Sequence, residues 1–155
     1  MSEEHSVAPP GNGRHATFWT PLFLAWLLAL VATAGALFLG EVMGKTPCVL
    51  CWYQRIAMFP LVLVLGMGLL TSDASNVRTA LLLAGVGWGI AGYHLLVFWG
   101  VVSEGLVPCG QGSSCADADV QVAGMVPIPL LSLAAFTAIL VLLSVAIRRA
   151  RRAEA

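Results

Sequence analysis

The sequence predicts an all-α membrane protein, a four-transmembrane-helix bundle with both termini cytoplasmic. Three observations carry that expectation. Of 155 residues, 59% are apolar and only 10% are charged, and mean hydropathy is +0.88. Four stretches between charges are long and apolar enough to cross a bilayer, and the basic residues fall unevenly on the two sides these crossings define. A soluble domain carries about 25% charged residues, so this chain lacks the polar surface to cover a water-soluble globule. Intrinsic disorder needs low hydrophobicity and high charge, so it is excluded as well. Formal net charge is zero, and no nucleic-acid partner is expected.

Residues 1–17, which include Pro9-Pro10-Gly11-Asn12-Gly13, read as a flexible cytoplasmic tail. Residues 18–147 hold the four spans, and residues 148–155 read as a basic cytoplasmic tail. A spanning helix needs roughly 20 apolar residues. Phe18–Leu39 meets this between Arg14 and Glu41, with Pro21 its one proline. Ala32-Thr33-Ala34 and Ala34-Gly35-Ala36 resemble a signal-peptide cleavage site. The run nevertheless exceeds the about 7–15 residues of a signal h-region, and Glu3 and Glu4 offset Arg14 ahead of it. This segment is therefore expected to stay as the first span.

The second span, Ile56–Ser72, has only 17 residues, about 25 Å of helix. It becomes long enough when Trp52, Tyr53 and Arg55 form its first turn, because aromatic rings and a snorkelling Arg suit headgroup depth. Thr79–Ser103 and Val120–Ile147 supply the third and fourth spans. Four crossings put both termini and the Asp73–Arg78 loop on one side. That side carries Arg14, Arg78, Arg148, Arg149, Arg151 and Arg152, six of the eight basic residues, against Lys45 and Arg55 on the other. The basic side is cytoplasmic, so Gly40–Tyr53 and roughly 101–126 face outward.

All four cysteines lie in these two exported segments: Cys48 and Cys51 before the second span, Cys109 and Cys115 before the fourth. Passive apolar filler would be expected inside a span at least once. Their segregation points to chemistry in an oxidising compartment, where disulfides persist. Three readings stand. Structural disulfides suit Cys109–Cys115 but suit Cys48–Cys51 poorly, since so small a loop removes little chain entropy. Four thiolates could hold zinc, although the Cys109–Cys115 spacing is wider than usual, and no metal site is assigned. The third reading is exchange. In a CxxC pair one thiol attacks while its neighbour resolves, and two exported pairs can pass electrons between them.

Arg55 follows Cys51 by four residues, so on a helix the two share a face about one turn apart. A fixed cation there favours thiolate and can donate to a carbonyl oxygen. The alternative is a plain interfacial anchor. His94 is a further polar residue inside a span. It could move protons or contact a ligand, or only hydrogen-bond between helices. It precedes Glu104 by ten residues, about 15 Å if the helix continues. Gly85, Gly87, Gly89 and Gly92 favour close helix packing, and Gly87–Gly92 could also leave room for a flat ligand. Met58, Met67, Trp88 and Trp99 read as core or lipid-facing residues.

At Pro47-Cys48-Val49-Leu50-Cys51-Trp52-Tyr53-Gln54-Arg55 the chain resembles the DsbB family of membrane disulfide bond formation proteins, particularly the short BdbC-like branch. The second cysteine pair and Val126-Pro127-Ile128-Pro129 extend the resemblance along nearly the whole chain. It implies a quinone-dependent protein disulfide oxidoreductase of the bacterial inner (plasma) membrane. Such a protein oxidises a soluble thioredoxin-like partner of the DsbA/BdbD type and passes the electrons to ubiquinone or menaquinone. It further implies that Cys109 forms the mixed disulfide with the partner and that Cys115 is its loop mate. Cys48 would exchange with Cys115, and Cys51 would face the quinone with Arg55 near a quinone oxygen. His94 corresponds to a polar residue that some members place near the quinone. The five residues between Cys109 and Cys115 are a departure, because longer relatives separate this pair widely. A DsbA-type oxidant sits at about −120 mV, so a replenished lipid-soluble acceptor is needed for repeated turnover. The competing expectation is a four-helix membrane protein with structural disulfides or a metal site and no turnover.

Overall fold

Each expected span is one helix in the computed structural model, which describes residues 12–71, 74–102, 121–122 and 126–154. Helix α1 (Asn12–Leu37) runs into a π-helical turn, Phe38–Val42. Helix α2 covers Val49–Thr71, α3 covers Ala74–Phe98 and α4 covers Ile128–Glu154. Before α4, the two-residue strands β1 (Gln121–Val122) and β2 (Val126–Pro127) pair antiparallel, Gln121 opposite Pro127 and Val122 opposite Val126. The apolar segments Phe18–Val42, Val49–Thr71, Ser75–Phe98 and Ile128–Arg152 are each long enough to cross a membrane.

The boundaries follow local chemistry. Helix α2 begins seven residues before Ile56, so its 23 residues give about 35 Å, and the length deficit of the 56–72 span disappears. At its start the backbone N–H of Trp52 donates to the Cys48 carbonyl at 3.1 Å. Helix α3 stops at Phe98, short of Ser103, because Gly100 takes φ +71°. Gly100 N–H donates to Val97 O at 2.9 Å and Val101 N–H to Leu96 O at 3.0 Å, a Schellman closure that a left-handed glycine permits. The fourth helix starts at Ile128 and not at Val120. Pro127 holds the preceding Val126 extended, and Pro129 falls in the first turn, where a missing N–H costs nothing. Helix α1 begins within the expected amino-terminal tail, and α4 continues through the basic residues to Glu154.

The helices form a square. Helix α1 packs on α2 and α4, and α3 packs on the same two. The centre is built from Leu22, Ala25 and Ala29 of α1 and from Ala57, Met58, Leu61 and Leu65 of α2. Helix α3 adds Val77, Ala80, Ala84 and Ala91, and α4 adds Phe136, Ile139 and Leu143. Alanine recurs four residues apart on α1 and α3, so backbones approach closely where lipid offers no hydrophobic drive for association. Outward, Leu70 is 87% exposed and Leu82 73%, which in water would be an aggregation-prone surface and in lipid is a solvated one.

The space beside Gly87 is occupied. A Cβ there would collide with the Phe136 ring, so this glycine is the socket for an aromatic knob and not room for a flat ligand. Next to it, Trp88 Nε1 donates to Thr137 Oγ1 at 3.0 Å. Gly87→Val should destabilise the bundle by about 1–3 kcal/mol through overpacking, read as a lower unfolding midpoint in detergent. Adding Phe136→Leu should recover part of the loss; equal damage with or without it would place the strain elsewhere.

Candidate active site

The site forms where α2 starts and α3 ends. Cys48 caps α2: the Cys51 N–H donates to Cys48 Sγ at 3.4 Å. The i, i+3 spacing brings the two sulfurs to 2.9 Å, and neither cysteine is in a disulfide. Cys48 is buried among Leu50 and Val97, with Ile90, Tyr93 and Val102 packed around them, whereas Cys51 is half-buried.

His94 completes the cluster from α3. It is fully buried, and the glycine-closed end of α3 places it one turn from the helix terminus. Its Nε2 lies 3.7 Å from Cys48 Sγ, and its Nδ1 lies 3.0 Å from the Gln54 amide. Each ring nitrogen therefore has a partner, as burial requires. The Gln54 amide sets the tautomer. With its N–H₂ toward Nδ1, Nε2 carries the hydrogen and donates to sulfur. With its oxygen toward Nδ1, the Nε2 lone pair faces sulfur.

This setting favours Cys48 as thiolate. The Cys51 thiol hydrogen-bonds to its sulfur, His94 adds a second hydrogen bond, and the two outweigh burial, bringing Cys48 from 9.0 down to about 4. The positive end of the α2 dipole acts in the same direction.

Arg55 leaves the other side of α2 for the end of α1. Its Nη2 donates to Ala36 O at 2.7 Å, and its guanidinium carbon sits 5.4 Å from the Trp52 ring centroid, a cation–π distance. Gly40, in the π turn, makes the fit: a Cβ there would stand 3.1 Å from Arg55 Nη2. Farther along α2, an apolar cavity of about 240 Å³ opens toward α3, lined by residues including Tyr53, Ile56, Leu82 and Val86. At 3.6 residues per turn its α2 lining lies about 150° around the helix from Arg55, so the cavity and the cation serve different faces.

A model of the family described as "Disulfide bond formation protein DsbB" matches residues 18–146. The chain belongs to the DsbB family. Among the relatives it resembles, a "Probable disulfide formation protein" of Metapseudomonas resinovorans is 45% identical over 132 residues, 84% of this chain and 92% of the relative. "Disulfide bond formation protein C" of Bacillus subtilis (strain 168) is 37% identical over 120 residues, 77% of this chain and 87% of that one. A "Probable disulfide formation protein" of Deinococcus radiodurans is 38% identical over 133 residues, 81% and 87% of the two chains. No solved structure matches. Membership makes this a multi-pass membrane protein of disulfide formation, a thiol oxidoreductase by family.

Within this DsbB-family chain, the structure brings together three of the residues singled out from sequence, Cys48, Cys51 and His94, and sets Arg55 at the same end of α2. Cys109 and Cys115 lie outside the described residues. Gln54 was not anticipated as a site residue, and neither was Gly40. The available signal for Gln54 was an uncharged polar residue one turn past Cys51 in an otherwise apolar helix.

The Cys48 setting has a measurable consequence. In reduced protein carrying Cys109→Ser and Cys115→Ser, the ultraviolet absorbance of thiolate should persist as pH falls from 9 and disappear only near about 4. His94→Ala should move that midpoint upward. Because the folded-state value is depressed, the associated stability is fully present above the ordinary value and declines as pH falls through this window. A midpoint left at the ordinary thiol value would remove the hydrogen-bond account.

Proposed function

We propose that this protein reoxidises a soluble exported thioredoxin-like partner of the DsbA/BdbD type and delivers the electrons to membrane ubiquinone or menaquinone. The observation that carries the reading is the pair of free thiols at the end of a membrane-spanning helix, with a half-buried Cys51 and the Arg55 cation at the same end. The uneven Lys/Arg distribution supports an extracytoplasmic position for this end, with the termini in the cytoplasm. Residues 1–17 and 148–155 flank the redox domain in this reading.

The residues at the start of α2 fit a quinone. Arg55 commits one described hydrogen bond to Ala36 O and retains further N–H donors for a quinone oxygen. Thr33, one turn before Ala36 in α1, has a buried Oγ1 with no hydrogen-bond partner among the described residues, a second polar group on the same stretch of α1. Cys51 would face the ring. A bound quinone supplies a two-electron, two-proton acceptor.

The chain's own sulfurs do the rest. A partner thiolate attacks Cys109 of a Cys109–Cys115 disulfide and Cys115 leaves; the partner's second thiolate then resolves the mixed disulfide. Cys115 next attacks Cys48 of a Cys48–Cys51 disulfide and Cys51 leaves. The Cys109 thiolate attacks Cys115, re-forming the loop disulfide and expelling Cys48. A low-pKa thiolate is the better leaving group, which suits Cys48 to this last step. Cys48 packs against Val97 and Val102, the end of α3 from which the second cysteine segment departs, so the approach is intramolecular. His94 stabilises the expelled Cys48 sulfur. Of the alternative, a four-helix membrane protein with structural disulfides or a metal site and no turnover, the disulfide half gives no reason for a buried His to face one sulfur of a CxxC.

Cys51→Ser should abolish quinone-dependent oxidation of a thioredoxin-like dithiol while insertion stays normal; full turnover would refute the assignment. Arg55→Ala should chiefly raise the apparent KM for quinone, and Gly40→Val, by pushing the guanidinium off the π turn, should do the same to a smaller degree. An unchanged KM in both would return Arg55 to an anchoring role.

A further inference from the structure

We propose that the reduced form of this site is also a zinc site, with Cys48 Sγ, Cys51 Sγ and His94 Nε2 as its three protein ligands. The three donor atoms all lie within 4.8 Å of one another, drawn from two helices that the bundle holds in fixed register. Zinc takes thiolate at about 2.3 Å and imidazole at about 2.0–2.1 Å in a tetrahedron, which sets S···N pairs roughly 3.5 Å apart and S···S pairs roughly 3.7 Å apart. His94 Nε2 and Cys48 Sγ are at 3.7 Å, already near that spacing. The sulfurs, at 2.9 Å, must move apart by roughly 0.8 Å to reach that spacing, and Cys51 Sγ must settle at a similar distance from His94 Nε2, which asks for a turn of the half-buried Cys51 side chain.

The surroundings are also those of a ligand set. A metal-bound histidine needs its other nitrogen held by an outer partner, and Gln54 stands 3.0 Å from Nδ1. Turned oxygen inward, that amide accepts the Nδ1 hydrogen and leaves the Nε2 lone pair directed at the sulfurs. The Cys51 N–H donating to Cys48 Sγ at 3.4 Å supports a charged sulfur in the same way. Thiolate and imidazole together select a soft or borderline d¹⁰ cation over magnesium or calcium. Three protein ligands leave a fourth position for water.

Cys48 already stands as thiolate, so binding releases the one remaining thiol proton, that of Cys51, to water as one Zn²⁺ enters, and no electrons move. A Cys48–Cys51 disulfide has no thiolate to offer, so zinc and the oxidised state exclude each other. Zinc binding stands independently of the quinone reading. Its consequence, that zinc holds the enzyme reduced and idle, rests on that reading.

The test uses full-length, detergent-solubilised protein, reduced and kept anaerobic, titrated with Co²⁺ as a spectroscopic probe and then with Zn²⁺. The expected result is one Co²⁺ per chain with a thiolate-to-cobalt charge-transfer band that Zn²⁺ bleaches, in wild type and equally in the Cys109→Ser/Cys115→Ser double variant. Oxidised protein should show no band. Cys48→Ser and Cys51→Ser should each lose it. Gln54→Leu should weaken affinity by about 10–100-fold, and His94→Gln, which keeps a polar group in the pocket, by at least as much. Three results would overturn the proposal: wild-type affinity in both His94→Gln and Gln54→Leu, a band that needs Cys109 or Cys115, or equal metal uptake by oxidised and reduced protein, which would mean an adventitious ion only. The redox comparison needs no variant, so a misfolded substitution cannot decide the outcome. Because the readout is the metal spectrum, quinone-dependent turnover can fail without affecting it.

Discussion

A histidine sealed from water must have both ring nitrogens satisfied by protein, and that requirement ties the start of α2 to the end of α3. His94 meets it with Gln54 on one nitrogen and Cys48 on the other. Leaving either unmet would cost about 1–3 kcal/mol of desolvation, a large share of any domain's net stability. The register of α2 against α3 is therefore set by a polar contact at the bilayer rim as well as by the alanine-lined core beneath it. The same contact adds to the Cys51 hydrogen bond that favours thiolate at Cys48. Reactivity and packing share one set of atoms at this position.

On the opposite face of α2, a second device operates. The π turn at Phe38–Val42 loosens the regular ladder at the end of α1, and π insertions often mark functional positions. Here the Ala36 carbonyl takes Arg55, and Gly40 clears the space for its guanidinium. The cation is thus held by backbone and an aromatic face at membrane depth. Two neighbouring helices act on α2 from two sides, α3 on the capping sulfur and α1 on the arginine.

The four-helix architecture was legible because lipid imposes a length and a polarity rule on every span, and Phe18 to Leu39 or Thr79 onward satisfy it without ambiguity. Ends were less legible. Reading Trp52, Tyr53 and Arg55 as the first turn of α2 gave a start near Trp52, and the helix begins about one turn earlier, at Val49, because Cys48 caps it there. The expectation of Val120 failed because apolar residues continue through Val122 and Val126, and those two lie in the paired strands before α4. In the site, Cys48, Cys51 and Arg55 were readable from spacing along one helix. The contact between His94 and Cys48 was not, since 46 residues separate them and only the halt of α3 at Gly100 brings the imidazole to the rim. Gln54 escaped notice because its role exists only once His94 is beside it.

The Phe136 ring seated over Gly87 has a bearing on how this scaffold can diversify. It fastens α3 to α4 well below the rim, so neither helix depends on the segment joining them for its alignment. Changes to that joining segment would then leave the posts on either side of it, and the sulfur chemistry beside them, in place.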